Sequence, residues 1–222
     1  MKFKLLVFDW DGTLMDSEAR IVGSMASALR DLELVGRERC EVRGLIGLGL
    51  DEAIATLLPD LDPSHRQRVA ERYRHHYLAP DGTPTPLFPD ARQVVETLAG
   101  QGYLMGVATG KSRRGLERSF AESGLGGLFH ATRCADETRS KPHPQMLLEL
   151  MDELGVDPEH TLMIGDTEFD IQLAHNAHAA ALAVTHGVHA RDDLCRLEPL
   201  DCLDGLALLP PWLAEWSGSA ED

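Results

Sequence analysis

Two carboxylates stand two residues apart directly after a short apolar run. Leu5 to Phe8 leads into Asp9-Trp10-Asp11-Gly12-Thr13. An apolar run of that length reads as a buried strand. A pair of acids at its end is costly to place unless something neutralises them. A divalent cation does so, and the pair then becomes chemically useful: one carboxylate attacks while the other carries a proton. Gly12 permits a tight turn that can aim both groups at one point.

Three further elements supply complementary chemistry. Ala108-Thr109-Gly110-Lys111-Ser112 follows a second apolar run and precedes a helical pattern. A hydroxyl, a flexible backbone amide and a helix N-terminus together form an anion site. Thr109 suits a phosphoryl oxygen through its hydroxyl and Gly110 through its amide, while Ser112 suits a helix cap. In Ser140-Lys141-Pro142-His143-Pro144 the prolines suit a helix entry and fix the direction of Lys141. A lysine so held neutralises charge on both a carboxylate and a phosphoryl group. In Met163-Ile164-Gly165-Asp166-Thr167-Glu168-Phe169-Asp170, Asp166 follows an apolar run and Asp170 lies four residues on. If a helix begins there, both can face one site. Asp166 joined to Asp9 gives a hard, oxygen-rich site that fits magnesium. A nucleophile, a proton shuttle, a cation site and phosphate anchors are the parts that phosphoryl transfer requires.

The elements that must position these residues are visible in the apolar patterning. Strand-sized runs recur at 4–8, 103–108, 161–164 and 179–184, without the strict alternation of a half-exposed sheet. Helical patterns occupy 90–99, 113–123, 145–154 and 169–177. Their alternation predicts an α/β fold: a Rossmann-like three-layer core, with helices on both faces of a parallel sheet. In such sheets ligands bind at the carboxyl ends of the strands, where the acidic clusters lie. Residues 16–84 break the rhythm. They predict a helix from Asp16 or Ser17 to about Leu32, two more at 51–58 and 64–78, and a Pro/Gly-rich linker at 79–86. The expected organisation is therefore a core of residues 1–15 and 85–222 with a helical insertion at 16–84. The small, acidic stretch 217–222 is expected to be disordered.

Bulk composition narrows the partners. The chain has 222 residues, 43% of them hydrophobic, and a net charge of −15. That charge disfavours nucleic acid and anionic membranes, but not a small anionic substrate met by a local cation. A monomer or homodimer is expected. Cys40, Cys134, Cys195 and Cys202 form no Cys-x-x-Cys pair, as expected of free thiols in the cytoplasm. The basic and apolar start is cut short by Asp9 and Asp11 and does not read as a signal peptide. No stretch approaches the length of a membrane span. His175 and His178 lack a third ligand. His75, His76, His186 and His189 read as surface or loop residues, and Trp212 with Trp216 as a packing face.

The order Asp9-Trp10-Asp11-Gly12-Thr13, Thr109, Lys141, then Gly165-Asp166-Thr167-Glu168-Phe169-Asp170 resembles the haloacid dehalogenase-like hydrolase superfamily. The resemblance spans nearly the whole chain. The insertion is similar to that family's helical cap. Ser140-Lys141-Pro142-His143-Pro144 and the loop Gly44-Leu45-Ile46-Gly47-Leu48-Gly49-Leu50 are most similar to its phosphoglycolate phosphatase-like branch. The resemblance implies a magnesium-dependent phosphatase acting on a small phosphorylated metabolite through an aspartyl-phosphate. It makes Asp9 the nucleophile and Asp11 the acid and base. It places magnesium on Asp9, Asp166 and the Asp11 carbonyl. Phosphate binding falls to Thr109, Gly110 and Lys141, with Gly12, Thr13 and the Trp10 amide beside them; the Trp10 side chain points away. It leaves Asp170 to orient Lys141 or a metal-bound water. Arg43 is a candidate partner for a substrate carboxylate such as that of phosphoglycolate. The rivals are a sugar-phosphate mutase of the β-phosphoglucomutase type and a non-catalytic phosphate-binding protein. Thr13 leans toward hydrolysis. Residues 16–79 contain no lysine, against a phosphonate-cleaving relative.

Overall fold

The computed structural model describes residues 2–34, 37–79 and 83–218. Six parallel strands form one sheet: β1 (Leu5–Phe8), β2 (Leu104–Thr109), β3 (Ala131–Cys134), β4 (Thr161–Gly165), β5 (Ala180–Val184) and β6 (Cys202–Leu203), in the order β3-β2-β1-β4-β5-β6. Ten α-helices accompany them. Four lie between β1 and β2: α1 (Glu18–Asp31), α2 (Arg39–Arg43), α3 (Leu50–Leu57) and α4 (Pro63–Leu78). The others are α5 (Ala91–Gly100), α6 (Arg113–Ser123), α7 (Gln145–Leu154), α8 (Glu168–Asn176), α9 (Arg191–Cys195) and α10 (Leu209–Gly218). The expected three-layer α/β/α arrangement is present.

Both faces of the sheet are covered, which is why its strands read as continuous apolar runs. Leu6 and Phe8 pack on one side with Val95, Leu98 and Trp212. Leu5 and Val7 pack on the other with Leu147, Leu150 and Leu173. Helix starts follow their local chemistry. Asp62 accepts from the backbone of Ser64 and His65, with Pro63 opening α4. Ser112 caps α6 through the Gly115 amide. Thr167 and Asp170 form a reciprocal box at α8. Ser17 stands at the N-cap of α1 but makes no capping bond, because its hydroxyl donates to Asp11 instead.

Five elements escape the sequence pattern: α9, α10 and three others that share one reason. β3 is an edge strand carrying half-buried Thr132 and Arg133, β6 has two residues, and α2 has five. None is long or apolar enough to show a period. The cysteines are free, and Cys195 and Cys202 bring their Sγ atoms to 2.6 Å across the α9–β6 connection. Of the expected linker, residues 80–82 lie outside the described residues. The expectation of a disordered tail likewise falls outside them at 219–222, whereas 217 and 218 end α10. Among the described residues, no helix is long and apolar enough to cross a membrane.

The four inserted helices have an apolar cluster of their own, in which Val22, Met25, Leu29, Val42, Ile54, Leu57 and Val69 meet. Arg20, in α1, ties the entry of this segment to its exit. Its guanidinium donates to the carbonyls of Tyr77, Ala79 and Thr83 at 2.5–3.1 Å. Arg20→Met removes charged donors and leaves half-buried carbonyls without this partner. The expected cost is about 3 kcal/mol, read calorimetrically as a fall in melting temperature of roughly 6–12 °C.

Candidate active site

Parallel strands align their carboxyl ends, so residues distant in sequence arrive at one edge of the sheet. β1 is central, with β2 on one side and β4 on the other. Phe8 is level with both Val107 and Ile164. Asp9 follows one step further along, and Thr109 and Asp166 two steps, so that all three project from adjacent strand ends, at the switch in strand order where such folds bind ligands.

Asp9 is almost wholly buried, and neither of its carboxylate oxygens accepts a hydrogen bond. The Lys141 ammonium lies 2.8 Å from Asp9 Oδ1 as an ion pair. The same Nζ donates to Asp170 Oδ1 at 2.6 Å. Asp170 Oδ2 in turn accepts from the Thr167 amide and hydroxyl at 3.0 and 2.7 Å, so Asp170 holds Lys141 from a fixed position. Asp166 Oδ1 accepts from the Thr13 hydroxyl at 2.7 Å, and its Oδ2 from the Val188 amide at 2.8 Å. Oxygens of Asp9, Asp166 and Asp170 lie within 4.8 Å of one another, the only such acidic, histidine or cysteine grouping among the described residues.

The electrostatics follow from burial. Desolvation pushes the Asp9 carboxyl well above its ordinary range; Lys141 opposes this, while Asp170 and Asp166 add to it. Asp166 is pushed up to about 7 by burial and then by the charge of Asp170, against Thr13, Val188 and Lys141. Burial pulls Lys141 down, but Asp170 and Asp9 outweigh it and hold the ammonium above the usual lysine range. One lysine among three carboxylates leaves the cluster short of positive charge. Asp9, with Oδ2 unpartnered and Oδ1 facing only Lys141, stands beside a buried Asp166 and fits a hard divalent cation.

Asp11 points elsewhere. Its carboxylate receives Lys111 Nζ at 2.7 and 2.8 Å, together with the Ser17 hydroxyl. Lys111 also donates to the Tyr77 hydroxyl of α4 at 2.8 Å. This buried lysine was assigned no role in the sequence, since its partner lies a hundred positions away. Its only local signal was its place beside Thr109 and Gly110.

Gly12 adopts φ +91°, and a Cβ there would stand 2.2 Å from Asp166 Oδ2. Gly110 faces the loop before α3, where a Cβ would lie 2.4 Å from the Leu48 carbonyl oxygen. Thr109 is buried and its hydroxyl accepts from the Lys111 amide at 3.2 Å. The Trp10 side chain is packed in the core against Phe120 and Phe129. Asp9, Asp11, Thr109, Gly110 and Lys111 line a cavity of about 260 Å³ beneath the inserted helices.

Arg43 is not brought to this cavity. Its guanidinium pairs with Glu18 at 2.9 Å and reaches the Gly187 carbonyl at 3.2 Å. His186 and His189 are more than surface residues. His186 packs against Phe88 with the rings tilted and bonds the Thr13 carbonyl at 3.0 Å, and burial lowers its pKa. His189 Nδ1 accepts from the Glu168 amide at 3.1 Å. Both brace the loops around Asp166.

A family model described as haloacid dehalogenase-like hydrolase matches residues 6–184. The chain belongs to that family. It is similar to the protein of Dickeya dadantii called probable phosphatase IndB, with 36% identity over 90% of this chain and 89% of the relative. A phosphoglycolate phosphatase of Haemophilus influenzae is 30% identical over 94% of this chain and 97% of its own length. A solved haloacid dehalogenase-like hydrolase from Bacteroides fragilis superposes with a TM-score of 0.88 at 26% identity, covering 94% of this chain and all of its own, 100%. The expected family, fold and enzyme class hold. In this hydrolase, Gly12→Ala should displace Asp166 and strain the turn. Turnover of p-nitrophenyl phosphate is expected to fall by about 100-fold or more, with the far-UV circular dichroism unchanged.

Proposed function

We propose that the protein is a magnesium-dependent phosphatase that hydrolyses a small phosphomonoester through an aspartyl-phosphate. The observation that carries this reading is Asp9: a buried carboxylate with no hydrogen bond, facing a cavity at the sheet's carboxyl edge, with an ammonium 2.8 Å away. Such a group is ready to bond to an electrophile and is poorly stabilised without one. The relatives named phosphatases support the same reading.

The chain's residues divide the work. Asp9 attacks phosphorus in line, forming an aspartyl–phosphorus bond as the ester P–O bond breaks. Protonated Asp11 gives its proton to the departing alkoxide, then accepts one from the water that cleaves the aspartyl-phosphate and regenerates Asp9. Lys111 and Ser17 fix the direction of Asp11 for both transfers. Thr109, the Gly110 amide and Lys141 hold the phosphoryl oxygens, with Asp170 holding Lys141. Asp9, Asp166 and the Asp11 carbonyl would hold magnesium, which would supply the positive charge that a dianion needs to approach a carboxylate. The inserted helices act as the cap, residues 16–84, that excludes water from the cavity. We place the enzyme in the cytoplasm on its thiol chemistry.

Phosphoglycolate is the finer candidate that a relative's name suggests, and Arg43 was the residue to receive its carboxylate. The pairing of Arg43 with Glu18 removes that support. The identity of Thr13 leans toward hydrolysis rather than mutation of a sugar phosphate.

Asp9→Asn removes the nucleophile and keeps the shape. Magnesium-dependent phosphate release is expected to fall by about 10⁴-fold or more, and excess chelator should abolish the parent's activity. Activity in the variant within tenfold of the parent refutes the covalent mechanism. A hexose 1-phosphate returned as the 6-phosphate would mark a mutase.

A further inference from the structure

The catalytic floor of the cavity is polar, but its roof is not. The inserted helices turn Ile21 and Met25 of α1, Val42 of α2, Ile46 of the following loop, Leu57 of α3 and Tyr73 of α4 toward it. Met25, Val42, Ile46 and Leu57 also belong to the apolar cluster of that segment. The space above Asp9 and Asp11 therefore opens into a hydrophobic core rather than onto a polar cleft. Tyr73 stacks on Tyr77, with ring centroids 5.6 Å apart and planes at 20°, adding aromatic surface.

The cations around the cavity are committed or at its mouth. Lys111 is bonded to both oxygens of Asp11 and to Tyr77. Arg74 stands 3.6 Å from Asp51 with 52% of its side chain exposed. Arg114 is exposed, and three acids, Asp51, Glu52 and Asp136, share the rim with these two arginines. Arg43 is turned to Glu18. A carboxylate two bonds from the ester oxygen would therefore meet the apolar wall, where a charge without a partner is strongly disfavoured. A sugar would bring several hydroxyls to a wall with few groups to receive them.

Resting on the phosphatase reading above, we infer that the cavity selects phosphate esters of uncharged, largely apolar alcohols, alkyl or aromatic, in preference to esters of hydroxy acids or sugars. The leaving group packs against Met25 and displaces water from the half-buried Ile21, Leu45, Leu48, Leu50 and Tyr73, and the free energy of that burial sets the preference. The scissile bond and the proton transfers are unchanged.

The test compares kcat/KM for hexyl phosphate, benzyl phosphate, phosphoglycolate and glucose 6-phosphate, with p-nitrophenyl phosphate as a general phosphatase probe, all with magnesium. The hexyl and benzyl esters are expected to exceed the other two by about 100-fold or more, mainly through lower KM. Met25→Arg should narrow or reverse the ratio of hexyl phosphate to phosphoglycolate by at least about tenfold; because the ratio is taken within one preparation, loss of folded protein does not alter it. Phosphoglycolate or glucose 6-phosphate turned over as well as the hexyl and benzyl esters overturns the inference and leaves the phosphatase reading standing. An unchanged ratio in Met25→Arg also overturns it. No phosphate released from any ester, p-nitrophenyl phosphate included, overturns the phosphatase reading and this one with it.

Discussion

Three carboxylates and one ammonium share a place that water does not reach, and the rest of the active-site structure answers to that imbalance. Asp9, Asp166, Asp170 and Lys141 are each no more than 1% exposed. Burying an unpaired charge is among the costliest things a fold can do. Most of the cost is met locally. Asp170 is satisfied by Lys141 and Thr167, and Asp166 by Thr13 and Val188. Asp9 alone receives no hydrogen bond, so the deficit is concentrated on the group that faces the cavity. A structural ion-pair network would spread satisfaction evenly. One that leaves a buried acid open toward a cavity is arranged for a ligand that brings positive charge, an electrophile, or both.

Strand order explains how so few residues suffice. β1 is flanked by β2 and β4, so three strand ends deliver Asp9, Thr109 and Asp166 without any loop having to search for them. The backbone then sets the fine geometry. Gly12 at positive φ lets the chain after β1 pass against Asp166 at a distance no side chain would permit. Asp11 is thereby carried away from the acidic cluster toward Lys111 and Ser17. Two acids only two residues apart end in opposite electrostatic surroundings, one short of positive charge and one fully paired. Divergent environments of this kind allow like groups to take different roles.

What the sequence disclosed, and what it withheld, divides along the same line. Residues were legible where an apolar run announces a buried strand and the next residue is charged or hydroxylated, as at Asp9, Thr109 and Asp166. Asp170 was legible through helical spacing. β3 and β6 were not, because edge strands need no unbroken apolar run. Lys111 was visible as a residue but not as a partner, since nothing local to Thr109-Gly110-Lys111 points to Asp11 or to Tyr77 of α4. Arg43 misled for the converse reason. A glycine-rich loop beside an arginine suggests an anion site, but Glu18, twenty-five positions earlier, takes the guanidinium. His186 and His189 read as ordinary loop residues, and only the fold shows them bracing the chain around Asp166. Local pattern reveals which residues a strand end presents; pairing across the fold decides which remain free to act.

The cavity is assembled from two sources with separate constraints. Its floor comes from the strand ends and the turns after them, where Asp11, Asp166 and Asp170 are each held by a neighbour from another segment, so that Thr13, Gly12, Thr167 and Asp170 cannot vary independently. Its roof comes from helices whose side chains also form their own apolar cluster, and there exchange of one hydrophobic residue for another of similar volume is tolerated. Changes to the floor disturb several bonds at once and act on the chemical step. Changes to the roof alter which leaving group is welcomed while leaving Asp9, Asp11 and Lys141 in place. The division is incomplete at one point: Lys111 of the floor bonds Tyr77 of the roof, so the group that orients Asp11 also touches the helices that cover it. Movement of α4 away from the sheet would break that bond and leave Lys111 held by Asp11 alone. The orientation of Asp11 is in this way tied to the position of α4, and its carboxylate is held most firmly when that helix sits over the cavity.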